Sequence, residues 1–332
     1  MYKHRAMQTI SVNKSSLRRG ALFLIGIAGP ALAGVVLHDS AAAVVAAVFG
    51  LLLSFSDQDG PLSGRYRILF LSAAGLIAGA VAGYLLRDYR VAFWIVFVVG
   101  AFAAGLANRY GRVPAMAARH ACMALSVAFG VPVIQPMELM FSAGTLVLVV
   151  IARALDHLLF GHLPQLRQPA RTDPPDPSLW LRFALAYATA AAIGLWIGIA
   201  LDPERAAWVS TTVLVVMQPD ARVSYRRIVS RIVGAFIGVI GAYALAHLFT
   251  TPVLLLIVVL VVALLIPHHL PHRYWAHTAL IAMMILLLYD LADAGALGRA
   301  VFAERLQDML LGCTMALIGT AVAFPRGKTK LP

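Results

Sequence analysis

Residues 208–241 read WVSTTVLVVMQPDARVSYRRIVSRIVGAFIGVIG, and the fold follows from how this stretch is read. An apolar helix opens at Trp208 and breaks at Gln218-Pro219-Asp220, because proline disfavours helix in the residue before it and aspartate tolerates turn geometry. The spacing predicts a turn carrying Arg222, Arg226, Arg227 and Arg231, then a glycine-stepped apolar helix. Four arginines between two apolar helices are expected to gather at one membrane face.

Composition extends this reading to the whole chain. Of 332 residues 61% are hydrophobic and 13% charged, with a mean hydropathy of +0.84, far more apolar than a soluble domain. The expectation is an all-α polytopic membrane protein, since apolar runs near the roughly 20 residues that span a bilayer recur throughout. Twelve spans are predicted, at about 18–37, 41–55, 66–86, 91–107, 115–131, 137–160, 178–201, 206–218, 228–249, 252–267, 273–289 and 301–324. With these spans the 27 lysines and arginines divide 22 to five between the two sides, a positive-inside bias that puts both termini in the cytoplasm. That placement, rather than the net charge of +12, points to a lipid bilayer and away from nucleic acid as partner. The first span is too long, and too poor in a small-residue cleavage site, to be a removed secretory signal. Cys122 and Cys313 lie inside predicted spans without metal-ligand spacing and read as buried apolar residues.

The order of segments suggests duplication. A basic cytoplasmic lead (1–17) precedes a six-helix block (18–160), a proline-rich linker (161–177), a second six-helix block (178–325) and a basic tail (326–332). Asp39 answers Asp202, and Asp57 answers Asp220; Gly75, Gly79 and Tyr84 fall on Gly234, Gly238 and Tyr243 at one offset; Pro114 and His120 fall on Pro271 and His277 at another. Six spans is an even number, so the halves are expected to be parallel repeats with a shared path between them. The glycines four apart (Gly75, Gly79 and Gly83; Gly234 and Gly238) mark faces where a second helix backbone approaches closely. Two readings stand for them, packing within each half or the seam of a homodimer.

Candidate chemistry sits at three places, each with a structural alternative. In the arginine stretch, Arg222 and Arg226 suit anchoring to headgroup phosphates, while Arg227 and Arg231 are expected to gather an organic anion, since a guanidinium holds a carboxylate in a two-bond fork. Trp208 would offer an aromatic wall and Gln218 a further binding group. In the last span Glu304, Arg305 and Asp308 fall at helical spacing near the outer end; they read either as an ion pair that fixes packing or as a charge relay. His120 and His277 lie about 9 Å into their helices and read either as hydrogen-bonded packing residues or as proton-coupling groups. His268, His269 and His272 beside Trp275 read as an interfacial loop with an aromatic anchor, not a metal site, because no acidic or cysteine ligand is near. No metal or other cofactor is expected. Gly327-Lys328-Thr329 imitates a phosphate-binding loop, but Val322 stands where its glycine should be. No nucleophile elbow or HExxH occurs, and the chain reads as a non-enzyme.

Trp208, Gln218-Pro219, Arg227, Arg231, Gly234, Gly238, Tyr274, Thr278, Arg305, Asp308 and Gly312 together resemble the pattern of the fusaric acid resistance (FUSC) family, which includes aromatic acid exporters. The likeness runs over roughly Leu179 to Pro325. The first half lacks the tryptophan and the Gln-Pro. The resemblance implies proton-coupled efflux of aromatic carboxylic acids across a bacterial inner membrane, with a periplasmic adaptor as a partner of some members. It also implies an alternative, an anion channel, since plant malate channels form a related group. A non-transporting membrane scaffold is the third reading.

Overall fold

The computed structural model describes residues 2–57, 60–130, 135–161, 177–202, 206–249, 251–269, 273–292 and 299–325. The expected linker, apart from its two end residues, lies outside them, as do the tail at 326–332 and the side chains of His268, His269 and His272. Twelve α-helices are found among the described residues: α1 (Tyr2–Leu37), α2 (Ser40–Ser56), α3 (Leu62–Leu86), α4 (Arg90–Ala107), α5 (Arg112–Gly130) and α6 (Pro136–Phe160). They continue with α7 (Pro177–Leu201), α8 (Ala206–Val216), α9 (Ala221–Leu248), α10 (Pro252–His269), α11 (Tyr274–Ala292) and α12 (Arg299–Ala323). Nine of these contain a stretch long and apolar enough to cross a bilayer; α2, α8 and α10 contribute shorter apolar stretches, Ser40–Ser56, Ala207–Val216 and Pro252–Pro267. Large apolar side chains stay exposed along the helices, Val91 at 76% and Leu158 at 77% among them. Such a surface suits lipid rather than water.

Two boundaries differ from expectation for local reasons. Helix α1 starts at Tyr2, because residues 2–17 contain neither proline nor glycine and nothing stops the turn of the chain before the apolar part. Helix α9 starts at Ala221, directly after Asp220, so the four arginines lie on helix and not in a turn. Asp220 is the reason: its Oδ1 accepts from the Val223 amide at 3.0 Å, the bond of a helix N-cap.

The chain divides into two compact units that do not follow the two halves of the sequence. The first comprises Met1–Tyr66, Gln135–Gln165 and Val233–Phe302, and the second Arg67–Ile134, Leu166–Ile232 and Ala303–Pro332. Each therefore draws helices from both sequence blocks.

In the first unit α1 is the shared packing partner of α2, α6 and α10. Its small residues explain why: a Cβ on Gly20 would lie 2.7 Å from the Leu264 carbonyl oxygen of α10, and one on Gly26 would lie 3.3 Å from the Gly50 carbonyl oxygen of α2. Gly29 leaves room for the Leu148 side chain of α6. Where lipid offers no less apolar surroundings than protein, close backbone approach of this kind drives association. Asp39 caps α2, its Oδ1 accepting from the Ala42 amide at 3.0 Å.

In the second unit α7 has the corresponding role, packing on α4 and α8. Gly105 of α4 abuts Ala184, the Tyr187 hydroxyl donates to the Leu214 carbonyl of α8 at 2.6 Å, and Phe93 of α4 stacks on Phe129 of α5 at 3.8 Å. The glycine steps are occupied inside the chain. Gly75, Gly79 and Gly83 of α3 lie on the backbone of α5 at Ala117, Ala121 and Leu125, and in the first unit Gly234 and Gly238 of α9 lie on α11 at Trp275 and Ala279.

Candidate functional site

The break between α8 and α9 is a hydrogen-bonded hinge. Gln218 directs its side-chain amide to the Val215 and Met217 carbonyls at 3.2 and 2.8 Å, covering the open end of α8. Its backbone amide donates to Ser224 Oγ at 2.8 Å, and that hydroxyl donates back to the Gln218 carbonyl at 3.0 Å. Pro219 removes the amide that would have continued α8. The side-chain amide donors of Gln218 thus serve the hinge backbone.

On α9 the arginines form two stripes four residues apart. Arg222 and Arg226 are exposed, whereas Arg227 and Arg231 are half-buried. Arg227 Nη1 donates to the Val215 carbonyl at 3.4 Å, at the hinge itself. Arg231 keeps a buried Nε with no hydrogen-bond partner among the described residues.

Trp208 belongs to the first turn of α8 and faces Arg305 of α12, whose guanidinium carbon stands 3.8 Å from the centre of the indole ring. Arg305 and Asp308 are both buried, at 9% and 2%, and Glu304 is half-buried. Gly312, one turn beyond Asp308, lets α12 meet α8: a Cβ there would lie 2.7 Å from the Val209 carbonyl oxygen. The sequence sets Arg305 and Asp308 three residues apart on one helix, and the fold puts Trp208 on the Arg305 guanidinium.

The two histidines are buried in different units with different neighbours. His277 of α11, in the first unit, places Nδ1 3.2 Å from the Ile266 carbonyl of α10 and meets Phe55 and Tyr274 edge-on or tilted. His120 of α5, in the second, is 5% exposed and its Nδ1 has no hydrogen-bond partner among the described residues.

One constellation escaped the sequence. In the first unit Arg65 of α3 grips Asp57 with two bonds, Nε to Oδ1 at 2.8 Å and Nη2 to Oδ2 at 2.7 Å, and reaches Asp156 Oδ2 with Nη1 at 2.9 Å. Arg18 of α1 makes a second fork onto Asp156, from Nε to Oδ1 and from Nη2 to Oδ2, and closes the end of α6 by donating to the Gly161 carbonyl at 2.7 Å. Arg153 of α6 stands beside Asp57 Oδ2 at 3.2 Å. Arg65 and Arg153 are both fully buried, at 2% and 1% exposed. The available signal was Arg153 and Asp156 three apart on one apolar helix, a spacing that puts both on one face.

Among the described residues no group of three or more His, Cys, Asp or Glu is placed to hold a metal ion.

Membrane-length apolar helices with ionised side chains buried among them define a multi-pass, all-α membrane protein. Residues 183–319, which include the hinge, the arginine stripes, Arg305 and Asp308, match the family described as fusaric acid resistance protein-like. The matched segment falls within the Leu179–Pro325 stretch whose motifs resemble that family. No curated protein and no solved structure matches the chain.

Proposed function

We propose that the chain is an inner-membrane transporter that exports organic anions, aromatic carboxylic acids above all, by coupling to protons. The family match supports a transport and efflux role. The observation that carries the reading further is Arg305 buried against Trp208 with Asp308 one turn away: ionised groups inside a membrane helix cost about 2.5–3.5 kcal/mol each on insertion scales and are generally kept for a pathway. A guanidinium over an indole is a pair that an aromatic carboxylate can join from both ends, by fork and by stacking.

In this reading all twelve helices cross the membrane as two six-helix repeats with both termini cytoplasmic. The first helix of each block, α1 and α7, being the shared packing partner in its unit supports it, as do glycine faces of α3 and α9 packed on α5 and α11. Arg227 and Arg231 receive the anion from the cytoplasm, and Arg305 and Asp308 pass it outward, with Glu304, His120 and His277 as the groups through which protons move. A periplasmic adaptor and a second copy of the chain are partners it would accommodate.

Uptake of a labelled aromatic acid into inverted vesicles tests this. Saturable uptake is expected to collapse in Arg231→Gln and in the presence of an uncoupler; unchanged uptake in the variant removes Arg231 from the path, and macroscopic current in place of concentrative uptake replaces the carrier with a channel.

A further inference from the structure

The first unit has an apolar cavity at the end away from its ion pairs. It measures about 340 Å³, within the size range of ligand pockets, and lies where α1 gives way to α2 beside the start of α10 and the end of α11. Its walls are aliphatic, with Ala31 and Val35 from α1, Val44 from α2, and Leu288 and Leu291 from α11. Polar side chains line it at His38 and Ser40, on either side of Asp39. The apolar span of α1 is Leu17–Leu37, with Arg18 of the ion-pair cluster at one end and His38 just past the other. At 1.5 Å per residue that is about 30 Å, the thickness of the hydrocarbon core of a bilayer. His38, Asp39 and Ser40 therefore stand at headgroup depth, and Ala31 lies about 10 Å deeper, among the acyl chains. The cavity also meets the lipid-facing surface. Val35 and Pro252 line it and are exposed, and beside them Leu32, Val36 and Val253 are exposed apolar residues.

We infer that this cavity holds one acyl chain of a zwitterionic phospholipid taken from the surrounding bilayer, with the headgroup on the turn between α1 and α2. Aliphatic walls suit an alkyl chain, which enters sideways from lipid without crossing water. The rim carries an imidazole, a carboxylate and a hydroxyl on three consecutive residues. A phosphate fits His38 and Ser40, and an ammonium fits Asp39; a headgroup with negative charge alone would meet that carboxylate. The backbone adds a second observation. His38 is held at φ +54°, a left-handed conformation that costs any residue with a Cβ and is usually given to glycine at a helix end. The Asp39 amide donates to the Gly34 carbonyl at 3.0 Å and closes this turn, so the strain sets an imidazole at the rim. All of these residues belong to the first unit, and the site rests on no transport step.

The test counts lipids on the delipidated full chain in detergent by native mass spectrometry, titrating with dimyristoyl phosphatidylethanolamine. One molecule is expected to bind saturably ahead of any others. Dimyristoyl phosphatidylglycerol, which lacks the amine, should bind about ten-fold more weakly, and glycerophosphoethanolamine, which lacks the chains, should not bind. Ala31→Leu fills the cavity and should abolish the saturable step. His38→Gly relieves the backbone while deleting the imidazole, so it should raise the Tm measured without lipid and yet weaken phosphatidylethanolamine binding about ten-fold. These opposite signs separate lost binding from lost folding, and they keep the site testable where Ala31→Leu does not fold. A broad, non-saturating series of adducts, the same in wild type and His38→Gly, leaves only the general lipid coat and overturns the site. Equal affinity for the two lipids overturns it as well.

Discussion

The two compact units bury charge in contrasting ways. In the first, Arg18 and Arg65 grip Asp156 and Asp57 through interlocking forks that join α1, α3 and α6 to the end of α2. In the second, Arg305 lies on the face of Trp208, and the arginines of α9 run half-exposed along the helix from a bonded hinge. Breaking a buried ion pair by deleting one partner costs about 3–5 kcal/mol, whereas a cation on an indole ring is held by about 0.5–2 kcal/mol. The first arrangement therefore locks helices together. The second sets a cation on an aromatic face.

This contrast is broken or sharpened by substitution. The largest effect is expected at Asp156→Asn, which strips two guanidiniums of their shared carboxylate; unfolding in detergent should show a loss of about 3–5 kcal/mol, and wild-type stability would mean that the forks lock nothing. Next come Gly79→Leu in the second unit and Gly238→Leu in the first, each driving a side chain into the backbone of the facing helix at Ala121 or Ala279. Both should lose about 1–3 kcal/mol or more, and similar losses at the two would support equivalent roles for α3 and α9. Trp208→Ala should cost about 0.5–2 kcal/mol while sharply reducing anion transport, with Trp208→Phe in between; a stability loss as large as that of Asp156→Asn would place both units in the locked class. The smallest effect is expected at Asp220→Ala, about 1 kcal/mol from the lost cap of α9, read from the same melts with helix content followed by circular dichroism.

Much of the second unit was legible because its signals are local. Gln218-Pro219-Asp220 announces a helix stop and a helix start within three residues, and the structure uses Pro219 and Asp220 in those roles. Arg305 and Asp308 stand out as charges three apart in an apolar helix, and both are buried. The extent of the arginine turn was misjudged because the residues after Asp220 carry no breaker and a capped helix propagates at once. The glycine steps left packing and dimer seam open, since a glycine face states that a backbone comes close without stating whose.

Length, apolarity and glycine spacing determined that this chain is a bundle of membrane-length helices, where it hinges and which helix faces must touch another backbone, because each is a property of a few neighbouring residues. Only the tertiary structure decided that α1, α2 and α6 form a unit with α10 and α11 while α7 and α8 join α4 and α5, and that Arg18 closes on Asp156 across 138 positions of chain. Lipid rewards any apolar helix pair about equally, so partner choice rests on side-chain fit and buried charge, which come together only when distant segments meet.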